Sequence, residues 1–384
     1  MYAHIPGTQT ALRRAGRALA ASAALVVLAA CGGGDGPTDL GTTLTITATG
    51  RMERGSTVTL AVTANGQPVA AGEYTLSVQP SDAAQLLADN QVKLLKAGKL
   101  TVTASGTRKL GNADITVAAP PVVVFDRFGT TNRDLWRVDL DGQNLTQLTT
   151  DTGEDQDPTV AQGKVVWLSF RAGNGELFSM PLAGGAATRL TNTTVDESTP
   201  ALSPDGARVA YSLVVGGVTK VYTANADGSG AARATPASFG EDGAIETAPT
   251  WAAAGKLAFV ATINGSADVF QVTGAGAPAL LAGGNAAEVE PAWSPDGTTL
   301  AFVSNRGGTT EIYLMNAASG AVTQLTSGAG TKSQPAWTPD GRVVYLETLG
   351  GTRLRWVDPA QPATVTTIET GTGSVGHPAA VAAP

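Results

Sequence analysis

The chain is poor in the groups that ordinary catalysis draws on. It has two histidines, His4 and His377, and one cysteine, Cys31. A Ser-His-Asp or Cys-His system would have to use His377, and no Gly-x-Ser-x-Gly elbow occurs. A Cys/His metal centre lacks ligands. Asp139-Leu-Asp-Gly142 and Asn225-Ala-Asp-Gly228 begin like calcium loops, but the later acids such loops need are missing, so both read as turns. No catalytic residue, metal or cofactor is therefore expected. One constellation remains. Asp155, Glu197, Glu246, Glu288, Lys332 and Val375 each stand three residues before a proline of one recurring unit. Four acids at one structural position could form a cluster of single sign that draws in a cationic peptide segment or an ion. Alternatively, they pair with nearby arginines or are solvated, and only fix orientation. Arg127, Arg171 and Arg306 fall in loops expected on the same face. Paired acids for glycoside chemistry would need a separation and a raised pKa that a sequence does not display.

The elements that position these residues come from the repeat. Its prolines are Pro158, Pro200, Pro249, Pro291, Pro335 and Pro378, spaced roughly 44 residues apart. The sharpest copies are Pro291-Ala-Trp-Ser-Pro-Asp-Gly297, Pro335-Ala-Trp-Thr-Pro-Asp-Gly341 and Pro200-Ala-Leu-Ser-Pro-Asp-Gly206. Four short strands per unit at that period predict a β-propeller of six blades. Strand A carries the proline, and strand B carries an aromatic in every copy: Phe125, Trp167, Tyr211, Phe259, Phe302 and Tyr345. Strand C carries Trp136, Phe178, Tyr222, Phe270 and Tyr313, with Arg355 in the sixth copy. Runs such as Lys164-Val-Val-Trp-Leu168 fit strands buried on both sides between blades, so the aromatics have a structural job. The first unit starts at its strand B, after Pro121. Residues 374–384 are expected to supply the missing strand A and close the ring, which removes exposed edges. The acids then stand at the D–A connections, around one mouth of the central channel.

The copy at 288–326 reads Glu-Val-Glu-Pro-Ala-Trp-Ser-Pro-Asp-Gly, then Leu-Ala-Phe-Val-Ser-Asn-Arg-Gly-Gly, Glu-Ile-Tyr-Leu-Met-Asn and Gln-Leu-Thr. It closely resembles the WD-like repeat of the TolB propeller, and the resemblance covers all six units, with units four and six degraded. The resemblance implies a six-bladed protein that binds envelope proteins at its propeller face. TolB has an α/β N-terminal domain and is not a lipoprotein. What carries over is therefore fold and style of binding, not membership of the Tol system.

The N-terminus differs. Arg13, Arg14 and Arg17 precede an apolar stretch, Ala18 to Ala30, too short to span a bilayer stably. It ends in Leu28-Ala-Ala-Cys31, which resembles the bacterial lipoprotein signal. The resemblance implies cleavage of residues 1–30, lipidation of Cys31 and, with Gly32 after it, the outer membrane. More than one acyl chain gives stable anchoring. Residues 31–39 read as a flexible Gly-rich tether, whose last eight residues reach about 28 Å when extended. Residues 40–118 alternate apolar residues with Thr or Ser, as in Leu44-Thr-Ile-Thr-Ala and Leu100-Thr-Val-Thr-Ala, and predict a small β-sandwich. The segment Asn90 to Ala104 resembles the end of bacterial Ig-like domains. The propeller is assigned to 121–384.

The fold class expected is all-β: a six-bladed propeller preceded by a small Ig-like β-sandwich. A formal charge of −7 opposes nucleic-acid binding. The expected function is a non-catalytic, lipid-anchored envelope platform for a protein or peptide partner. The alternatives are a polysaccharide-active, lyase-like propeller, which the scarcity of histidine opposes, and a glycan-binding surface protein. The latter would need aromatics on loops, where Phe128, Phe170 and Phe239 stand.

Overall fold

A computed structural model of the protein describes residues 43–383, apart from 108, 241–242, 253–254 and 275. The expected signal, Cys31 and the tether lie outside the described residues. The described residues form β-strands throughout and no α-helix.

Residues 121 onward build six four-stranded antiparallel sheets. Blades 2 to 6 each use four consecutive strands, with the A strands at Asp155–Ala161, Glu197–Leu202, Ile245–Trp251, Glu288–Trp293 and Thr331–Trp337. Blade 1 takes its B, C and D strands from Val122–Phe128, Arg133–Asp139 and Thr146–Gln147, and its A strand from Val375–Val381. The first and last strands of the propeller thus meet in one sheet, and blade 1 has no open inner edge.

The strand B aromatics are all buried. Each sits directly opposite the marked position of strand C: Phe125 faces Trp136, Trp167 faces Phe178, Tyr211 faces Tyr222, Phe259 faces Phe270, Phe302 faces Tyr313 and Tyr345 faces Arg355. Cross-strand aromatic pairs support a ladder in this way. Apolar clusters span neighbouring blades; Val123 and Phe125 of blade 1 share one with Val344 and Leu346 of blade 6.

The Pro-Asp-Gly corner closes on itself. In blade 5 the Ser294 hydroxyl donates to Asp296, which accepts the Thr298 N–H, and Ser294 Oγ accepts the Thr299 N–H. Gly297 ends the corner at φ 68, where a side chain would be strained. Blade 3 repeats the arrangement with Ser203 and Asp205. The shared motif is first of all a turn.

Residues 44–117 fold as two sheets around one core. One sheet has strands Leu44–Thr49, Thr57–Ala64, Gln91–Leu94 and Ala84–Leu86, with Gln67–Pro68 beside the second; the other has Thr75–Gln79, Gly98–Gly106 and Lys109–Val117. Alternate residues such as Leu44, Ile46 and Ala48 point into it. This module docks on the propeller through a charge-swapped cluster. Arg51 bonds Asp340 and Asp358 of blade 6, and Arg54 bonds Asp139 and Asp141 of blade 1. In return, Arg342 of blade 6 donates to both oxygens of Glu53, at 2.9 and 2.7 Å. All five propeller residues lie in or beside A–B and C–D turns. The module therefore covers part of that face and leaves the opposite face, with the D–A and B–C connections, open.

Candidate site at the channel mouth

The charged residues before each proline do stand at equivalent places, near the start of each strand A. They do not form a solvated acidic ring. Asp155, Glu197, Glu246, Glu288 and Lys332 are all at most 1% exposed. The reason is geometric: their side chains turn into the seam between blades, where each finds its own partners. Asp155 accepts Arg171 at 3.0 and 2.7 Å and the Trp167 indole N–H at 2.9 Å. Glu288 accepts Arg306 and the Ser304 hydroxyl. Glu246 accepts Arg233, Thr235 and the Val221 N–H, with Lys220 at 3.3 Å. Lys332 donates to the carbonyls of Gly328, Ala329 and Gly330 and lies 3.6 Å from Glu311. Val375, sixth in the series, is buried and apolar.

Two of the three loop arginines serve these acids. Arg171 lies over Trp167 and Phe178, and Arg306 lies over Phe302 and Tyr313. A guanidinium held by a carboxylate on one side and aromatic faces on the other is fixed at little entropic cost. Arg127 instead lies 3.4 Å from the centre of the Trp136 ring and donates to the Thr370 carbonyl.

The channel itself is lined by residues two positions closer to the prolines. Asp157, Thr199, Ala248, Glu290, Gln334 and His377 each precede a repeat proline, and all six have positive φ, between 43 and 53. Every strand A slips register at this point, for example between Val289 and Ala292. The extra residues form a β-bulge that aims one side chain per blade inward. These six residues and their prolines enclose a cavity of about 230 Å³. Neighbours are linked along part of the ring: Glu290 accepts the Gln334 N–H at 2.6 Å, and the Gln334 side-chain oxygen accepts the His377 N–H at 2.7 Å.

Against this geometry, residues 276–354 match the family model described as the TolB beta propeller domain. The six-bladed ring is similar in fold to the TolB propeller. A TolB homologue of Chlorobium luteolum is 29% identical over 164 residues, which is 42% of this chain and 36% of that protein. The chain thus matches only about a third of that relative's length. Among solved structures, TolB from Acinetobacter baumannii superposes with a TM-score of 0.64 at 17% identity, covering 80% of this chain and 82% of that one. The putative TolB from Agrobacterium tumefaciens superposes with a TM-score of 0.54 at 18% identity, covering 67% and 90%. At these identities the structural likeness is one of fold.

In the TolB-like ring, the most strongly perturbed channel residue is His377. Its Nδ1 lies 2.7 Å from Asp126 Oδ2 and its Nε2 lies 2.9 Å from Asp157 Oδ1. Burial alone would lower its pKa, but the bonds to Asp126 and Asp157 outweigh that and push it up to about 10. His377 is on the closing strand, Asp126 on strand B of blade 1 and Asp157 on strand A of blade 2, so one imidazolium ties three strands together. These three residues have ligand atoms within 4.8 Å of one another, the spacing a metal ion could use. Both ring nitrogens already face carboxylates, however, and Arg133 already bonds Asp126. The arrangement serves as an ion-paired clamp. Sequence reasoning singled out His377 but missed Asp126 and Asp157. The usable signal was the residue directly before each proline, where side-chain type varies most from blade to blade.

A pH test follows. The folded pKa of His377 lies above its unfolded value of 6.5. Its stabilisation is therefore complete below pH 6.5 and is lost as pH rises through about 10. The ring is partly exposed, so solvent screens part of the effect. Thermal melts should show the wild type losing stability over that window and His377→Gln losing clearly less. Parallel curves would remove the clamp from consideration.

Proposed function

We propose that the protein is a lipid-anchored cell-envelope protein whose propeller binds another polypeptide through the face bearing the D–A and B–C connections. One observation carries this reading. The small module covers part of the opposite face, while Phe128, Val195, Val214, Val215, Ile245 and Leu349 stand exposed on this one. Exposed apolar side chains grouped around a channel mouth are the usual mark of a protein contact. The buried charges Asp155, Glu197, Glu246, Glu288 and Lys332 hold the loops of that face in place, with Arg171 and Arg306, and act behind the contact surface rather than on it. The TolB-like fold supports a binding role, and a channel with one ion-paired histidine supports a non-catalytic one. Lipidation of Cys31 would place the module as a spacer between the outer membrane and the ring.

The glycan-binding alternative loses ground here. Of Phe128, Phe170 and Phe239, Phe128 alone is exposed, and Phe239 packs edge-on against Phe259 and Phe270.

The test is site-specific photocrosslinking in intact cells. A crosslinker at position 128 or 349 should capture a discrete protein, and Phe128→Asp with Leu349→Asp should abolish capture from position 215 without lowering the melting temperature. Capture only from positions on the module side would move the site to the other face.

A further inference from the structure

Each blade seam must neutralise the buried charge at the start of strand A, and the blades do this in comparable ways. Asp155 pairs across its ladder with Ser169, and Glu288 with Ser304. Two residues beyond each serine stands the arginine that neutralises the acid, Arg171 or Arg306. In blade 3, Glu197 pairs with Leu213, so Val215 occupies the arginine position. The B–C connection there is a two-residue turn, Gly216-Gly217, with Val215 exposed. Glu246 has Arg233 and Lys220 instead, and Lys332 has Glu311. Among the described residues, no cation bonds Glu197.

What it meets across the seam is another acid, Glu176 of blade 2, the first residue of strand C at Glu176–Pro181. Both carboxyls are essentially inaccessible. Glu176 Oε1 accepts Arg189 at 2.6 Å, Asn174 at 3.1 Å and the Thr193 N–H at 2.8 Å. Glu197 Oε2 accepts the Thr191 hydroxyl at 3.0 Å. The remaining oxygens, Glu176 Oε2 and Glu197 Oε1, are buried and accept no hydrogen bond. The two side chains start from one point of the seam: the carbonyl of Gly175, next to Glu176, accepts the Glu197 N–H at 2.9 Å, and the Thr191 hydroxyl that bonds Glu197 accepts the Leu177 N–H at 2.8 Å. Two carboxylates facing one guanidinium leave an uncompensated buried charge, which is costly. One proton cancels that charge and satisfies both orphan oxygens with a single O–H···O bond. Glu288 Oε2 also lacks a donor, but there Arg306 supplies the charge.

We propose that Glu176 and Glu197 share one proton and form a pH-operated latch between blades 2 and 3. The latch is closed while Glu197 Oε1–H donates to Glu176 Oε2, and loss of the proton opens it. Burial and then the charge of Glu176 push Glu197 up to about 7. Burial also raises Glu176, but Arg189, the Thr193 N–H and Asn174 outweigh it and hold that carboxyl below its ordinary range. The proton therefore resides on Glu197. Arg189 on strand D of blade 2 bonds Glu176, and Tyr211 on strand B of blade 3 feels the charge of Glu197. Asp196 in the D–A connection accepts the Gly175 N–H, and Lys220 on strand C of blade 3 is turned to Glu246. Above the latch, Asn174 also donates to the carbonyls of Thr193 and Val195, so opening the pair loosens the loop that presents Val195. That last consequence rests on the binding role proposed for this face; the latch itself does not.

The sign is set by Glu197. Its folded pKa lies above the unfolded 4.5, so the stabilisation is full below pH 4.5 and is lost as pH rises through about 7. Denaturant midpoints of the full chain should be compared from pH 4.5 to 8.5 for wild type, Glu197→Gln and Val215→Arg. The amide of Glu197→Gln gives Glu176 a permanent donor, and the guanidinium of Val215→Arg supplies the missing cation. In the window between the two pKa values, wild type should lose up to about tenfold in its folding constant per pH unit relative to either variant. Contributions common to all three chains, that of His377 included, cancel in this difference. Parallel profiles for wild type and Glu197→Gln would overturn the latch. If the variants fail to fold, assigned carboxyl-carbon NMR of the wild type decides: Glu197 titrating near 7 supports the latch, and Glu197 titrating near 4.5 overturns it. No partner enters these readouts, so failure of the latch and failure of the binding role are separable.

Discussion

Replacing Lys332 with methionine should destabilise the propeller by about 3–5 kcal/mol in urea denaturation. The ammonium is 1% exposed and donates to three backbone carbonyls in the turn before its strand. It also faces Glu311, equally buried, whose other donors are the hydroxyls of Thr309 and Thr326. Methionine fills a similar volume, so packing changes little. What is lost is the cation, which leaves Glu311 as an unpaired interior charge and three carbonyls without their donor. Adding Glu311→Gln to Lys332→Met should recover part of the loss, because the double variant no longer buries a lone carboxylate. A loss below about 1 kcal/mol for the single variant would mean that water reaches the seam and screens the pair.

Deleting residues 374–384 should unfold the ring rather than shorten a tail, with a loss of at least about 4 kcal/mol or no cooperative transition at all. Strand Val375–Val381 is the inner strand of blade 1 and pairs with Val122–Phe128. Its loss strips Val375 from the cluster shared by blades 1 and 6 and removes His377 from between Asp126 and Asp157. It also bares the edge of Val122–Phe128, which is otherwise buried along most of its length. Calorimetry on full-length and truncated protein checks this; equal melting temperatures would show that closure adds nothing. A polar double substitution at Val375 and Ala380 should weaken the same contact less severely, giving a graded version of the result.

The fold was legible because its causes repeat. Six prolines at similar spacing, the first five each followed by a turn sequence and an apolar strand with an aromatic, can be checked against one another, and errors in one copy are corrected by the rest. The aromatics at Phe125, Trp167, Tyr211, Phe259, Phe302 and Tyr345 occupy one structural position because each blade presents the same gap to its neighbour. The place of the charges was legible for the same reason. Their environment was not. Whether a carboxylate three residues before a proline faces the channel or the seam depends on the bulge at that proline, which shifts register and sends the residue directly before the proline inward instead. A linear pattern carries the position of a side chain but not its direction through an irregular strand.

By itself, then, the sequence determined the number of blades, the turns that end their inner strands and the residue types at each seam, since all of these follow from local periodicity. Tertiary structure alone decided which charges meet. Arg342 reaches Glu53 across 289 positions of chain, and His377 reaches Asp126 across 251. Glu197 meets Glu176 where its sister acids meet arginine, because blade 3 turns over Gly216-Gly217 and has a valine at that place. Long-range electrostatics depend on distance and burial, and neither exists until the ring is closed.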